Sequence, residues 1–244
     1  MGERLSMRRL IYVPIIHTDP DLGTLAEGME ERAKAVVGAS NWQKHKEVVR
    51  LYWQEIADYW EEKKVAGYKI FQDGMPIDGT VAKNIVKSLA EKGSINHKII
   101  EQLLEKGAEL IQTEDPELLK EEYSLTRELI KRKSLLGSLW ALFRYRWRKD
   151  KLLRARDTYI IKRINESLEE GETGICFLGA YHQILPNLPK DIAVITLKDP
   201  QKVRAYSGLL QKFPLLSKKR AREVNKLGSY LTTPITEKQG EKYE

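Results

Sequence analysis

The run Gly174–Leu178, GICFL, is apolar at every position and shows no polar alternation. A strand with one wet face alternates, whereas one that is apolar on both faces has to be covered on both. That is the situation of a central strand in a parallel sheet lying between helices. Shorter β-branched runs at Arg9–Ile16, Tyr68–Gln72, Ala108–Gln112 and Ile192–Leu197 are separated by long segments of helical period, the alternation of an α/β protein. Helices are expected over 24–37, 42–65, 80–92, 95–106, 116–133, 151–170 and 200–212. Their ends carry the usual signals: Thr24 with Glu27, Ser94 and Asp115-Pro116 at starts, Gly93, Gly107 and Gly171 at stops. The expected fold is a mostly parallel sheet of at least five strands flanked by helices, one domain over 1–212. Residues 213–244, with SKKRAR, Gly228 and a polar end, read as a weakly ordered tail.

Composition narrows the function classes. At 244 residues and 41% apolar content, the chain has enough material for a sizeable core and is not a disordered one. No apolar stretch approaches the 18 residues of a membrane span. The apolar run Leu10–Ile16 is interrupted by Pro14 and is followed by no small-residue cleavage site, so neither a signal peptide nor export is expected, and the expected location is cytoplasmic. The single cysteine, Cys176, excludes a disulfide framework and a cysteine-rich zinc site. Lying inside GICFL, it reads as an inert core thiol. His45, between two lysines, and His97, in the first turn of a helix, read as surface residues. No glycine-rich phosphate loop is present.

The polar residues that follow the strands are more informative. His17, Thr18 and Asp19 follow the first strand, Asp73-Gly74 the second, Thr113-Glu114-Asp115 the third, and Gly179-Ala180-Tyr181-His182 the fourth. In open α/β sheets the binding crevice lies outside the carboxyl ends of the strands. Four strands would therefore deliver His17, Asp73, Glu114 and His182 to one edge. Each has a bland explanation as a loop histidine, a turn or a helix start, and the functional reading comes from their coincidence. Two imidazoles and two carboxylates suit a divalent ion such as Zn, Mn or Fe, with His17 and His182 as ligands. Without metal, a His–Glu pair can serve as a general base. On the helix 151–170, Asp157 falls on the apolar stripe of Leu153, Ile160, Ile161, Ile164 and Leu168. It needs a partner there, either in a structural ion pair with Arg154 or Arg156 or beside the crevice, with an arginine and Tyr181 contacting substrate.

At these residues the chain resembles the TraB/ChaN/Tiki superfamily, which includes erythromycin-esterase-like proteins. The resemblance rests on Arg156-Asp157 on a helix, then GICFLGAYH, then DIAVITL, and is spread over about residues 9–197. The later GxxH motif maps onto Gly179 and His182. The earlier one departs, with Pro14 where the family has Gly, and Asp73 stands where a Glu is expected. The resemblance implies an α/β fold and a hydrolase-like protein, metal-dependent or not, acting on an ester, amide or phosphoester. It leaves open a non-catalytic protein that binds a small ligand or haem.

Charge is concentrated in one place. Residues 131–156 hold ten basic residues and one acid, a local charge of +9 in a chain of +7, so the remainder sums to −2. Leu136, Leu139, Trp140, Phe143 and Trp147 recur there at helical spacing beside Arg144, Arg146 and Arg148. The segment is expected to be a helical insertion, either packing on the sheet through its tryptophans with a solvated basic rim or acting as a lid or homo-oligomer interface over the crevice. Nucleic-acid binding is the less favoured alternative, since no RNA-binding motif accompanies it.

Overall fold

The computed structural model describes residues 7–18, 21, 30–31, 34, 38–131, 138–210 and 218–235. The expected helix over 24–37 lies mostly outside them. The sheet has five strands: β1 (Arg8–Ile15), β2 (Lys69–Gln72), β3 (Glu109–Ile111), β4 (Thr173–Gly179) and β5 (Ile192–Thr196). All pairs are parallel and the order across the sheet is β3-β2-β4-β1-β5. The class is α/β, as the uniform GICFL run requires. β4 is flanked by β1 and β2, and Ile175 is aligned with Ile11 on one side and Ile70 on the other.

Both faces are covered. One packs Ile11, Val13, Ile15, Ile70, Ile175 and Phe177 against Trp53 and Ile56 of α1 (Ala39–Glu61), Val86 of α2 (Gly79–Glu91) and Ile99 and Leu103 of α3 (Ile95–Glu105). The other packs Leu10, Tyr12, Phe71, Cys176 and Leu178 against Ile160 and Ile164. Gly174 is where this second layer closes most tightly. A Cβ there would lie 2.9 Å from Leu10 Cδ1 and 3.0 Å from Phe71 Cε2.

Two expectations are corrected. The basic segment is no separate insertion. Residues 138–156 continue without a break into the sheet-packed helix, forming α5 (Ser138–Ser167) behind α4 (Pro116–Lys131). No Gly or Pro occurs between Ser138 and Ser167 to stop it. Thirty residues of helix reach about 45 Å, roughly twice the length of β4. Ile164 packs beside Leu10 at the amino end of the sheet, so the first half of α5 rises past the carboxyl edge. There Trp147 is 60% exposed, with Lys151 Nζ 5.7 Å from its ring centre. It is not the core tryptophan its spacing suggests. The side chain of Trp140 lies outside the described part. The second correction concerns the C-terminus. After α6 (Pro200–Leu210), residues expected to be a loose tail form α7 (Lys218–Leu231), in which Leu231 is fully buried and Val224, Leu227 and Tyr230 pack on the core. Gly228 faces α1, where a Cβ would stand in ordinary contact 3.5 Å from Val48 Cγ2. Among the described residues no helix is long and apolar enough to cross a membrane.

Packing at these two sites predicts opposite responses. Gly174→Ala overfills the α5 layer and should cost about 1–3 kcal/mol, lowering Tm by several degrees for a chain of this size. Trp147→Ala should change stability by no more than about 1 kcal/mol, the range of an exposed cation–π contact. Thermal denaturation of the two variants beside the wild type checks both.

Candidate functional site

The strand order explains how the polar residues meet. Reading β3, β2, β4, β1 across the sheet, the residues just past their carboxyl ends are Glu114, Asp73, His182 and His17. Adjacent strands are about 4.8 Å apart, so four neighbours in unbroken order put four such groups within reach of one another. Local turns refine the placement. Asp73-Gly74 makes a tight turn in which Met75 N–H donates to the Gln72 carbonyl at 3.2 Å and Gly74 takes φ 74°, a left-handed value that favours glycine. The Met75 carbonyl then accepts from the Thr113 and Glu114 N–H groups at 2.9 and 3.0 Å. The Asp-Gly pair is thus a turn and a site at once.

Asp73 is the hub. Its Oδ2 accepts from the Gly179 N–H at 2.9 Å and lies 3.6 Å from His182 Nε2 and 3.8 Å from His17 Nε2. Its Oδ1 accepts from Arg156 Nη2 at 2.6 Å. A Cβ on Gly179 would stand 2.9 Å from Asp73 Oδ2, so the glycine of GAYH is required by the approach of this carboxylate. On the far side of His182, Nδ1 is 2.5 Å from Asp157 Oδ1, and Asp157 Oδ2 accepts the Gln183 N–H at 2.9 Å. Asp157 therefore sits on the buried face of α5 because it orients the imidazole.

Arg156 is buried, at 4% exposure, among carboxylates of the protein itself. Besides Asp73 it donates to Glu114, through Nε at 3.0 Å and through Nη2, and to Glu122 of α4 through Nη1. Its forked donors are occupied by these groups, so its role is to hold the acids in place. Arg154 is exposed on α5 and stands apart from the cluster. Tyr181 is 40% exposed at the rim, with Lys149 Nζ 5.9 Å from its ring centre. His17 is the open member, its side chain 44% exposed against 3% for His182.

The electrostatics follow from this crowding. Burial pushes His182 toward the neutral form, but the nearby Asp73 charge and the bond to Asp157 outweigh it and raise its pKa to about 10. Asp73 is held well below the usual carboxylate range: burial opposes this, and His182 and Arg156 overcome it. Glu114 moves upward, driven by burial and the nearby Asp73 against the pull of Arg156. Burial also pushes the Cys176 thiol up, which agrees with an inert core cysteine.

Three residues stand otherwise than the sequence suggests. His97 is buried, its Nδ1 2.7 Å from Ser94 Oγ and 3.3 Å from Asp21 Oδ1. Serine and aspartate meet the same ring nitrogen, so this is no catalytic relay. It ties the loop after β1 to the start of α3, with Thr18 N–H and Oγ1 donating to Asp21 Oδ2 at 2.6 and 2.7 Å. His45 is half-buried, its Nδ1 3.2 Å from Tyr206 Oη. Glu122 belongs to the site, yet as one of a run of glutamates it carries no sequence signal that singles it out. No family model, curated protein or solved structure matches the chain.

His182 supplies a pH test. Its pKa in the folded protein lies above the unfolded value of about 6.5. Its stabilising contribution is therefore complete below that pH and is lost as pH rises through about 10. In the presence of a chelator, the wild-type Tm should fall more steeply between pH 7 and 10.5 than that of His182→Gln. Parallel curves would show that the imidazole does not carry this proton.

Proposed function

We propose that the protein is a divalent-metal-dependent hydrolase acting on an ester, amide or phosphoester, with its centre at Asp73, Glu114 and His182 and with His17 at its open side. One observation carries this reading. Two imidazole nitrogens face the same carboxylate oxygen at 3.6 and 3.8 Å, too far for hydrogen bonds. Each imidazole–carboxylate spacing, taken pairwise, is one that two ligands about 2.1 Å from a shared ion would take, at an angle of roughly 120–130°. Asp73, Glu114 and His182 also offer ligand atoms within 4.8 Å of one another. His182 meets a further requirement, because a metal-binding histidine commonly gives its other ring nitrogen to a carboxylate, the place taken here by Asp157.

Asp73, Glu114 and His182, whose ligand atoms lie within 4.8 Å of one another, would hold the ion, and His17 would reach it from the open side, a set suited to Zn, Mn or Fe. Such an ion lowers the pKa of bound water and polarises a carbonyl or phosphoryl oxygen. Glu114 has both oxygens on Arg156, but a hydrogen bond leaves each carboxylate oxygen a further lone pair for an ion. Arg156 holds Asp73 by one oxygen and leaves the other for the ion. His17, the exposed ligand, marks the side from which substrate enters. The resemblance of GAYH and the Arg156-Asp157 pair to the TraB/ChaN/Tiki superfamily supports the same reading.

Elemental analysis of protein purified without a His-tag should find about one equivalent of a divalent metal, much reduced in His17→Ala and absent in His182→Ala. Because ligation displaces the His182 proton, affinity should rise with pH up to about 10, with proton release visible calorimetrically in buffers of different ionisation enthalpy. Stoichiometric metal in a His17→Ala/His182→Ala double variant would defeat the proposal.

A further inference from the structure

The His182 turn has an anchor outside the cluster. Gly179–His182 is closed by the His182 N–H donating to the Gly179 carbonyl at 3.0 Å. That bond leaves the carbonyls of Ala180 and His182 unpaired within the turn, and both residues are buried, at 4% and 6% exposure. One side chain serves both. Arg204 of α6 donates from Nε to the Ala180 carbonyl at 2.7 Å and from Nη2 to the His182 carbonyl at 3.0 Å, bracketing Tyr181. We infer that Arg204 is a positioning residue that sets where His182 Nε2 stands relative to Asp73, an inference that rests on reading His182 as a metal ligand.

The physical argument is one of degrees of freedom. Asp157 fixes the imidazole ring through Nδ1 and one end of the turn through the Gln183 N–H, but neither bond reaches the Ala180 peptide in its middle, which Arg204 ties to the His182 carbonyl. The guanidinium fork is rigid and planar, so its two bonds fix the separation of two carbonyls, which one ammonium cannot do. Its own base is firm. Asp199 Oδ1 caps α6 by accepting the Gln201 and Lys202 N–H groups at 2.8 and 3.3 Å, and Val203 and Tyr206 beside Arg204 are buried. Removing the fork strands two buried acceptors, and the turn then relaxes to find other partners. A displacement of the turn carries His182 with it and opens the 3.6 Å spacing to Asp73.

Two measurements on Arg204→Gln test this, with wild type and His182→Ala beside it. Mn2+ and Zn2+ affinities, from competition with a chromogenic chelator, should fall by about 10- to 100-fold, the range for residues that support metal ligands, while circular dichroism shows a retained fold. In metal-free protein, the low-field NMR resonance of the His182 Nδ1 proton shared with Asp157 should broaden or move. Should Arg204→Gln not fold, Arg204→Lys, which keeps one bond, carries the same test with a smaller loss. A lowered Tm with wild-type metal affinity and an unchanged resonance would overturn the inference, leaving Arg204 a packing residue. If the wild type itself binds neither metal, the metal reading fails, and the NMR resonance alone decides whether Arg204 positions His182.

Discussion

Arg156 lies buried where three elements converge, and the geometry of the site depends on it. Asp73 on the β2 turn, Glu114 past β3 and Glu122 on α4 all accept hydrogen bonds from its guanidinium. Three carboxylates close together in a low-dielectric interior repel one another and are costly to desolvate. One arginine with forked donors both neutralises and spaces them. The same bond that holds Asp73 Oδ1 turns Oδ2 toward the two imidazoles. Stability of the edge and availability of a ligand oxygen therefore come from one contact.

The neighbouring residue performs the other half of the task. Asp157, adjacent to Arg156 on α5, faces the His182 turn, while Ile160 and Ile164 seat the helix against Leu10 and Tyr12. Because α5 is packed along the sheet, the positions of Arg156 and Asp157 relative to the strand ends are set by hydrophobic contacts one and two turns away. The helix continues beyond the edge, where Arg148 of α5 lies 3.3 Å from Glu121 of α4. Among the described side chains of this run Arg148, Lys149, Lys151 and Arg154 are exposed, and the arginine that matters most for the site is the last of the run.

Several features are legible in the amino-acid sequence. The uniform GICFL run implies a central strand, and β4 has neighbours on both sides. The apolar stripe on 151–170 places Asp157 on a buried face, where it is found. Other readings fail for identifiable reasons. Trp147 shares the helical spacing of a core residue, but the spacing cannot reveal that the helix has run past the sheet. Helix α7 is hidden because its charges and Gly228 resemble a tail, whereas Gly228 faces Val48 and Leu231 is buried. His97 looks like a surface residue because its buried partner, Asp21, is 76 positions earlier.

By itself, the sequence determined which residues follow the strands, because strand length and turn chemistry are local: His17, Asp73, Glu114 and His182 each lie within three residues of a strand's end. The order of those strands was decided only by tertiary structure. Placing β4 between β2 and β1 makes Glu114, Asp73, His182 and His17 consecutive across the edge, and that choice rests on contacts between residues more than a hundred positions apart, such as Asp73 with Gly179. The role of Arg156 was decided in the same way. Arg154 and Arg156 are equivalent as members of a basic run, but on a helix two residues are about 200° of rotation. Once Ile160 and Ile164 faced the sheet, Arg156 was turned into the acids and Arg154 into water.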